Sequence, residues 1–132
     1  MRGLDTNILV RYLVADDARQ AAQAERLLQR SSDAGEPLFI PILVLCELIC
    51  VLARSYGQTR AEILAVLERI LATDQFQIEG DQMVRRSLEA FRRGRADFTD
   101  YLIGEICRDA GCAECVTFDR RLKDAAGFTV LP

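Results

Sequence analysis

Apolar positions along the chain fall into short continuous runs separated by longer stretches with helical spacing. Leu38-Phe39-Ile40 and Cys115-Val116-Thr117-Phe118 are the clearest short runs, and residues 3–4 and 128–131 add weaker ones. Runs this short, bounded by Gly, Pro or Asp, read as strands, and the Cys115 run as a buried one. Helices are expected over 8–13, 18–30, 42–56, 60–72, 82–94 and 98–110, with a short one over 120–125. Ala21, Ala24, Leu27 and Leu28 mark one face of the second, which Asp16 or Asp17 would cap. Residues 31–36 read as a loop. Pro41 suits the first turn of the third helix and Gly57 its end. Thr59 and Glu62 have capping-box spacing, Asp81 is a cap candidate for the fifth helix, and Asp97 or Thr99 for the sixth, with Gly111 as its stop. Residues 76–79 are read as a short extended segment or a turn.

Short apolar strands alternating with helices imply an α/β fold with a mostly parallel sheet covered on both faces. Crossovers in such a sheet are right-handed, and functional residues gather beyond the carboxyl ends of the strands. The 132 residues fit a single domain, 1–132, without linker, internal repeat or low-complexity segment, and half of them are hydrophobic. No apolar run approaches the length of a membrane span, and Arg2-Gly3-Leu4-Asp5 is not a leader's apolar region. The expectation is a soluble cytoplasmic protein with no membrane association.

Composition narrows the chemistry. The chain has no histidine, so no Ser-His or Cys-His pair exists, and proton transfer falls to carboxylates, Lys, Tyr, Cys or metal-activated water. Five cysteines, Cys46, Cys50, Cys107, Cys112 and Cys115, read as free buried thiols. Cys112-x-x-Cys115 is half of a zinc motif with no second half. Net charge is −3, mildly unlike a dedicated nucleic-acid binder, but its distribution is uneven. A basic stretch holding Arg85, Arg86, Arg92, Arg93 and Arg95 runs directly into one holding Asp97, Asp100, Glu105, Asp109 and Glu114. Acids ringed by arginines suit metal ions with phosphates around them; a solvated helix face explains the same arginines equally well.

Four acidic positions stand out. Asp5 and Asp119 each follow a strand directly, which in a parallel sheet puts both at its carboxyl edge. Glu47 lies inside Leu43-Val44-Leu45-Cys46 and Leu48-Ile49-Cys50-Val51-Leu52, a helix apolar nearly all round. Such a helix reads as buried, and a buried carboxylate needs a cation or a partner. Asp97 and Asp100 are three apart at the start of a helix, hence on one face, where their repulsion favours a cation between them. Each has a plain structural explanation too: a cap, an ion pair, or a solvent-facing helix position. Carboxylate-rich oxygen sites select hard divalent ions such as Mg²⁺ and Mn²⁺, which activate water against phosphodiesters without histidine.

With these residues in view, the chain resembles the VapC-type toxins of the PIN-domain ribonucleases. Met1-Arg2-Gly3-Leu4-Asp5-Thr6-Asn7-Ile8-Leu9-Val10-Arg11-Tyr12-Leu13 is similar to their opening, and Glu47 stands where they place a helical glutamate. Ala96-Asp97-Phe98-Thr99-Asp100-Tyr101-Leu102-Ile103 resembles their Asp-Phe-x-Asp segment, and Val116-Thr117-Phe118-Asp119 their late strand and acidic turn. The resemblance runs through nearly the whole chain in order. Gly104-Glu105 departs from it, standing where many relatives carry small Ala residues.

The resemblance implies a three-layer α/β/α sandwich around a mostly parallel sheet of about five strands. It implies endoribonuclease activity with one or two Mg²⁺ or Mn²⁺ ions. The acidic quartet carries over as Asp5, Glu47, Asp100 and Asp119, with Asp97 as a further acid and Thr6, Asn7 and Thr117 as supporting polar groups. Asp5, Glu47 and Asp100 would be metal ligands, direct or through water, with Asp119 and Asp97 behind them or at a second ion. Arg85, Arg86, Arg92, Arg93 and Arg95 are candidate contacts to RNA phosphates. The implied partners are a VapB-type antitoxin, the RNA substrate and a second copy of the chain. Other readings are a PIN-like RNA-binding module without catalysis and a PIN nuclease outside toxin–antitoxin biology. A phosphotransfer or receiver domain fits less well, because Asp5-Thr6-Asn7 lacks the second acid of Asp-x-Asp and Lys123 is poorly placed.

Overall fold

The computed structural model describes residues 1–132 and divides into two compact units, Met1–Glu79 and Gly80–Pro132. In the first unit, strand β1 (Arg2–Gly3) is followed by helices α1 (Thr6–Val14) and α2 (Ala18–Ala34). Then come β2 (Leu38–Ile40), α3 (Ile42–Ser55), α4 (Arg60–Leu71) and β3 (Phe76–Ile78). The three strands form one parallel sheet in the order β1-β2-β3, with Arg2 opposite Leu38 and Leu38 opposite Phe76. Its core collects Leu9, Leu38, Ile40, Leu45, Leu48, Leu52, Leu67 and Ile70, each at most 2% exposed. The second unit comprises α5 (Asp81–Arg93), α6 (Phe98–Asp109), β4 (Cys115–Thr117), a 3₁₀ turn (Arg120–Leu122) and β5 (Phe128–Val130). β4 and β5 pair in parallel, Cys115 opposite Phe128. The expected five short parallel-paired strands are therefore present, three in one sheet and two in another.

Local chemistry sets most boundaries. Asp17 caps α2 by accepting from the Gln20 N–H at 3.0 Å, and Thr59 with Glu62 forms the expected capping box on α4. Pro41 opens α3 without a side-chain cap. The vacancy is filled by Glu79, whose carboxylate accepts the Ile42 N–H at 2.9 Å. Several boundaries differ from the sequence reading: α1 begins at Thr6 rather than at residue 8, and the helix expected over 120–125 is only the 3₁₀ turn Arg120–Leu122. Helix α2 continues through 31–34, because Ser31 is buried with its hydroxyl bonded to the Glu36 carbonyl. The helix stops only at Gly35, whose φ of 65° closes the last turn. Asp81 does not cap α5: Gly80 occupies that position, and Asp81 pairs with Arg85 one turn on at 2.9 Å.

In the second unit a buried aromatic pair joins α5 to α6: Phe91 and Phe98 meet edge to face, their centroids 6.3 Å apart. The chain between these helices is held by Tyr101, whose hydroxyl accepts the Ala96 N–H at 3.2 Å. That hydroxyl also fills the space beside Gly94, where an added Cβ would lie 1.8 Å from it. Gly94→Ala must push a buried ring from its seat and break its hydrogen bond. A loss of about 1–3 kcal/mol is expected in urea denaturation, the usual cost of overpacking; an unchanged midpoint would contradict this packing. Gly104, the departure noted in the sequence, has a similar cause: a Cβ there would lie 2.5 Å from the Phe128 ring.

Candidate functional site

The carboxylates singled out in the sequence are distributed over both units. In the first, Asp5 follows β1 and turns back to cap α1, accepting the Thr6 N–H at 2.8 Å on one oxygen. The capping role and the strand-end position coexist. The neighbouring Thr6 is 4% exposed, and its hydroxyl is buried with no hydrogen-bond partner. Asn7 is exposed and lines a small cleft with Arg11 and Gln20.

Glu47 corrects the sequence reading. Helix α3 is not apolar on every side: Leu45, Leu48, Ile49 and Leu52 are buried, whereas Leu43, Glu47 and Cys50 are exposed. These exposed positions are spaced by four and three residues, so they share a stripe. The reading failed because Leu43 and Cys50 are apolar by type yet face outward. Glu47 therefore bears no burial penalty, and the inference from a buried charge falls away.

The second unit gathers three of the predicted acids. Asp97 stands at the N-cap position of α6, and its N–H donates to Asp100 Oδ2 at 2.9 Å. Asp119 ends the segment after β4, where its N–H donates to the Thr117 hydroxyl at 3.0 Å. All three converge on Arg121. Its guanidinium meets Asp119 through Nε and Nη2, the latter at 2.6 Å, and reaches Asp100 at 3.3 Å and Asp97 at 3.5 Å. The side-chain hydrogen bonds from Arg121, together with its backbone N–H, hold the Asp119 carboxyl below the usual carboxylate range. The same contact with Asp119 pushes the Arg121 guanidinium further up.

Arg121 is the residue that the sequence reading missed. Its signal was its position two residues after a strand-end acid, on a turn short enough to fold back. Leu122, 2% exposed, anchors that turn.

The arginines predicted to meet phosphates are mostly engaged with acids. Arg85 pairs with Asp81, Arg86 with Glu105 and Asp109, and Arg92 with Glu89. A cleft of about 740 Å³ in this unit is lined by Arg93, Arg95, Arg108 and Arg121, with Glu105 and Glu114 among them; Arg93 also reaches Glu89 at 3.7 Å and Arg108 reaches Glu105 at 3.9 Å. Arg93 and Arg95 were in the predicted set; Arg108 and Arg121 were not.

Two further readings are corrected here. The Cys115 strand is not buried, since Val116 is 53% and Phe118 75% exposed; a parallel pair of two strands has too few neighbours to cover both faces. The cysteines are free but none is buried. Cys107, Cys112 and Cys115 are neighbours, and hydrogen bonding with Cys115 raises the Cys107 thiol above its usual value.

The chemistry of these donors fits a hard divalent cation. The candidate groups are oxygen donors, and three carboxylates already draw in the nearest cationic side chain. As placed around that guanidinium, no three acids or thiols stand close enough together to enclose an ion.

A family model for the PIN domain matches residues 4–128, a span that includes every acid described above. The chain belongs to the PIN-domain family. PIN domains are nucleases that act on RNA, so the chain belongs to a family of phosphodiester hydrolases that are generally dependent on divalent metals. It is 30% identical to a VapC ribonuclease of Aquifex aeolicus over 132 residues, covering 100% of this chain and 97% of the relative. A crystal structure of Mycobacterium tuberculosis VapC20, a sarcin-ricin loop cleaving toxin, aligns over 100% of both chains at 21% identity. Its TM-score of 0.43 is too low to bear on the site. No helix of this PIN domain is long and apolar enough to cross a membrane.

Proposed function

We propose that this chain is a Mg²⁺- or Mn²⁺-dependent endoribonuclease and the toxin of a VapBC-type pair, with residues 1–132 as one PIN domain. The observation that carries the reading is the family match over residues 4–128, with Asp5, Glu47, Asp97, Asp100 and Asp119 all inside it. Full-length similarity to a VapC ribonuclease supports RNA as substrate and the toxin role.

Asp5 and Glu47 of the first unit and Asp100 and Asp119 of the second are the residues assigned to hold one or two ions, with Asp97 as a further acid. Bound there, a divalent ion supplies a Lewis acid and a lowered pKa for water. The chain's own residues do the rest. Asp5 offers one oxygen while the other stays on the Thr6 N–H, which fixes its direction. The buried Thr6 hydroxyl is available as a donor beside it. Asp100 is oriented by the Asp97 N–H, and the Asp119 segment by Thr117. Arg93, Arg95 and Arg108 line the cleft as contacts for RNA phosphates, which neutralises part of the backbone charge. The reaction is hydrolysis with in-line attack on phosphorus, leaving a 5′-phosphate and a 3′-hydroxyl.

The partners follow the same reading: a VapB-type antitoxin whose tail covers an apolar groove, and a second copy of the chain. Exposed apolar surface exists for them at Leu43 on α3, at Ile103 and Ile106 on α6, and at Val116 and Phe118. Helix α4 offers no such surface on the face where Ile63, Leu67 and Ile70 are buried.

The test is cleavage of an RNA pool by wild type and Asp5→Asn. Wild type is expected to leave 5′-phosphate ends, and the variant to lose cleavage at unchanged melting temperature. Cyclic-phosphate ends, or full activity in Asp5→Asn, would contradict the assignment. A VapB-type antitoxin peptide encoded beside this gene is expected to inhibit; absence of such a gene, or failure of its peptide to bind, would remove the toxin–antitoxin part alone.

A further inference from the structure

Arg121 is the one cation that touches Asp97, Asp100 and Asp119 together, at 3.5, 3.3 and 2.6 Å. It does so as a fork: Nε and Nη2 both engage the Asp119 carboxylate, and Nη2 and Nη1 extend to the two acids of α6. The contact is not a loose surface pairing. The Arg121 N–H also donates to Asp119 Oδ1 at 3.0 Å, and buried Leu122 pins the turn that carries it. Yet the side chain itself is 46% exposed and lines the open cleft with Arg93 and Arg108. Its guanidinium is thus held by the acids yet reachable from solvent.

We propose that Arg121 is a built-in counter-ion that competes with the divalent cation for Asp100 and Asp119. This rests on the assignment of those two acids as metal-holding residues. The physical argument is charge exchange. Three carboxylates on one helix start and one turn repel one another, and a single guanidinium relieves that repulsion without an ion. A divalent ion brings more charge to the same oxygens, but it must first displace the fork. The chain therefore sets its own metal affinity below what the bare carboxylates would give, and the enzyme becomes sensitive to the free metal concentration.

The same bonds make the competition specific to arginine geometry, because the bidentate fork to Asp119 requires a planar group. A lysine would keep the charge but meet one oxygen at a time.

The experiment is Mn²⁺ binding by isothermal calorimetry to the full chain, as wild type, Arg121→Gln, Arg121→Lys and Asp100→Asn. Circular dichroism melting verifies that each is folded. Arg121→Gln is expected to bind Mn²⁺ about 3–10-fold more tightly than wild type, the scale of one partly exposed ion pair. Arg121→Lys should fall between the two, and Asp100→Asn should bind more weakly than all. Equal or weaker binding by a folded Arg121→Gln, with wild type binding and Asp100→Asn impaired, would overturn the counter-ion role and leave the metal site standing. Absence of Mn²⁺ binding in wild type and Arg121→Gln alike would overturn both. An Arg121→Gln variant that does not fold would leave the decision to Arg121→Lys, where affinity equal to or below wild type counts against the proposal.

Discussion

Asp100→Asn is expected to yield a folded protein whose RNA cleavage has fallen by two orders of magnitude or more. The fold survives because the side chain's structural task is to accept the Asp97 N–H, at 2.9 Å, and an asparagine oxygen still accepts it, though without the charge. Activity does not survive, because the amide has no charge to hold a divalent ion. Losing a group that merely orients a metal ligand costs roughly 10–100-fold, so losing an assigned ligand should cost more. The variant also loses one of the three acids around Arg121, which tightens the remaining pairing with Asp119 against metal entry. Cleavage under single-turnover conditions, beside a thermal melt, separates loss of activity from loss of fold. Wild-type rates in a folded variant would remove Asp100 from the site.

Phe98→Ala is expected to cost about 3–5 kcal/mol, the range for deleting a fully buried phenylalanine. Phe98 is 0% exposed and stacks edge to face on Phe91. It lies between Asp97 and Asp100, so the ring that anchors α6 to α5 also fixes where both acids emerge. Stability and metal binding should therefore fall together, read from urea denaturation and from Mn²⁺ calorimetry at a temperature where the variant is folded. A variant that loses less than about 1 kcal/mol would show that the ring is not the anchor.

Much of this was legible in the sequence, and the exceptions have physical causes. Strands of three residues were found because β-type residues sat between clear breakers, as at Leu38-Phe39-Ile40 before Pro41. The Thr59–Glu62 capping box was legible because both halves are local. The setting of Glu47 is not legible because residue type does not give orientation: Leu43 on the same stripe is 80% exposed. The end of α2 was misplaced because Ser31-Ser32-Asp33 resembles loop composition, whereas the helix is continued by a buried serine whose partner is at Glu36. Arg121 escaped for a related reason. A charge that bridges a turn and a helix start, 21 residues from Asp100, leaves no periodic trace. The positions of Asp5 and Asp119 after strands, and of Asp97 and Asp100 at a helix start, are legible because strand ends and helix caps are local features.

The most direct test of the central claim is RNA cleavage by the purified wild-type chain after exhaustive EDTA treatment, followed by graded return of Mg²⁺ or Mn²⁺. The account expects no cleavage in the stripped protein and recovery that saturates with added metal. Cleavage that persists unchanged in excess EDTA would contradict it.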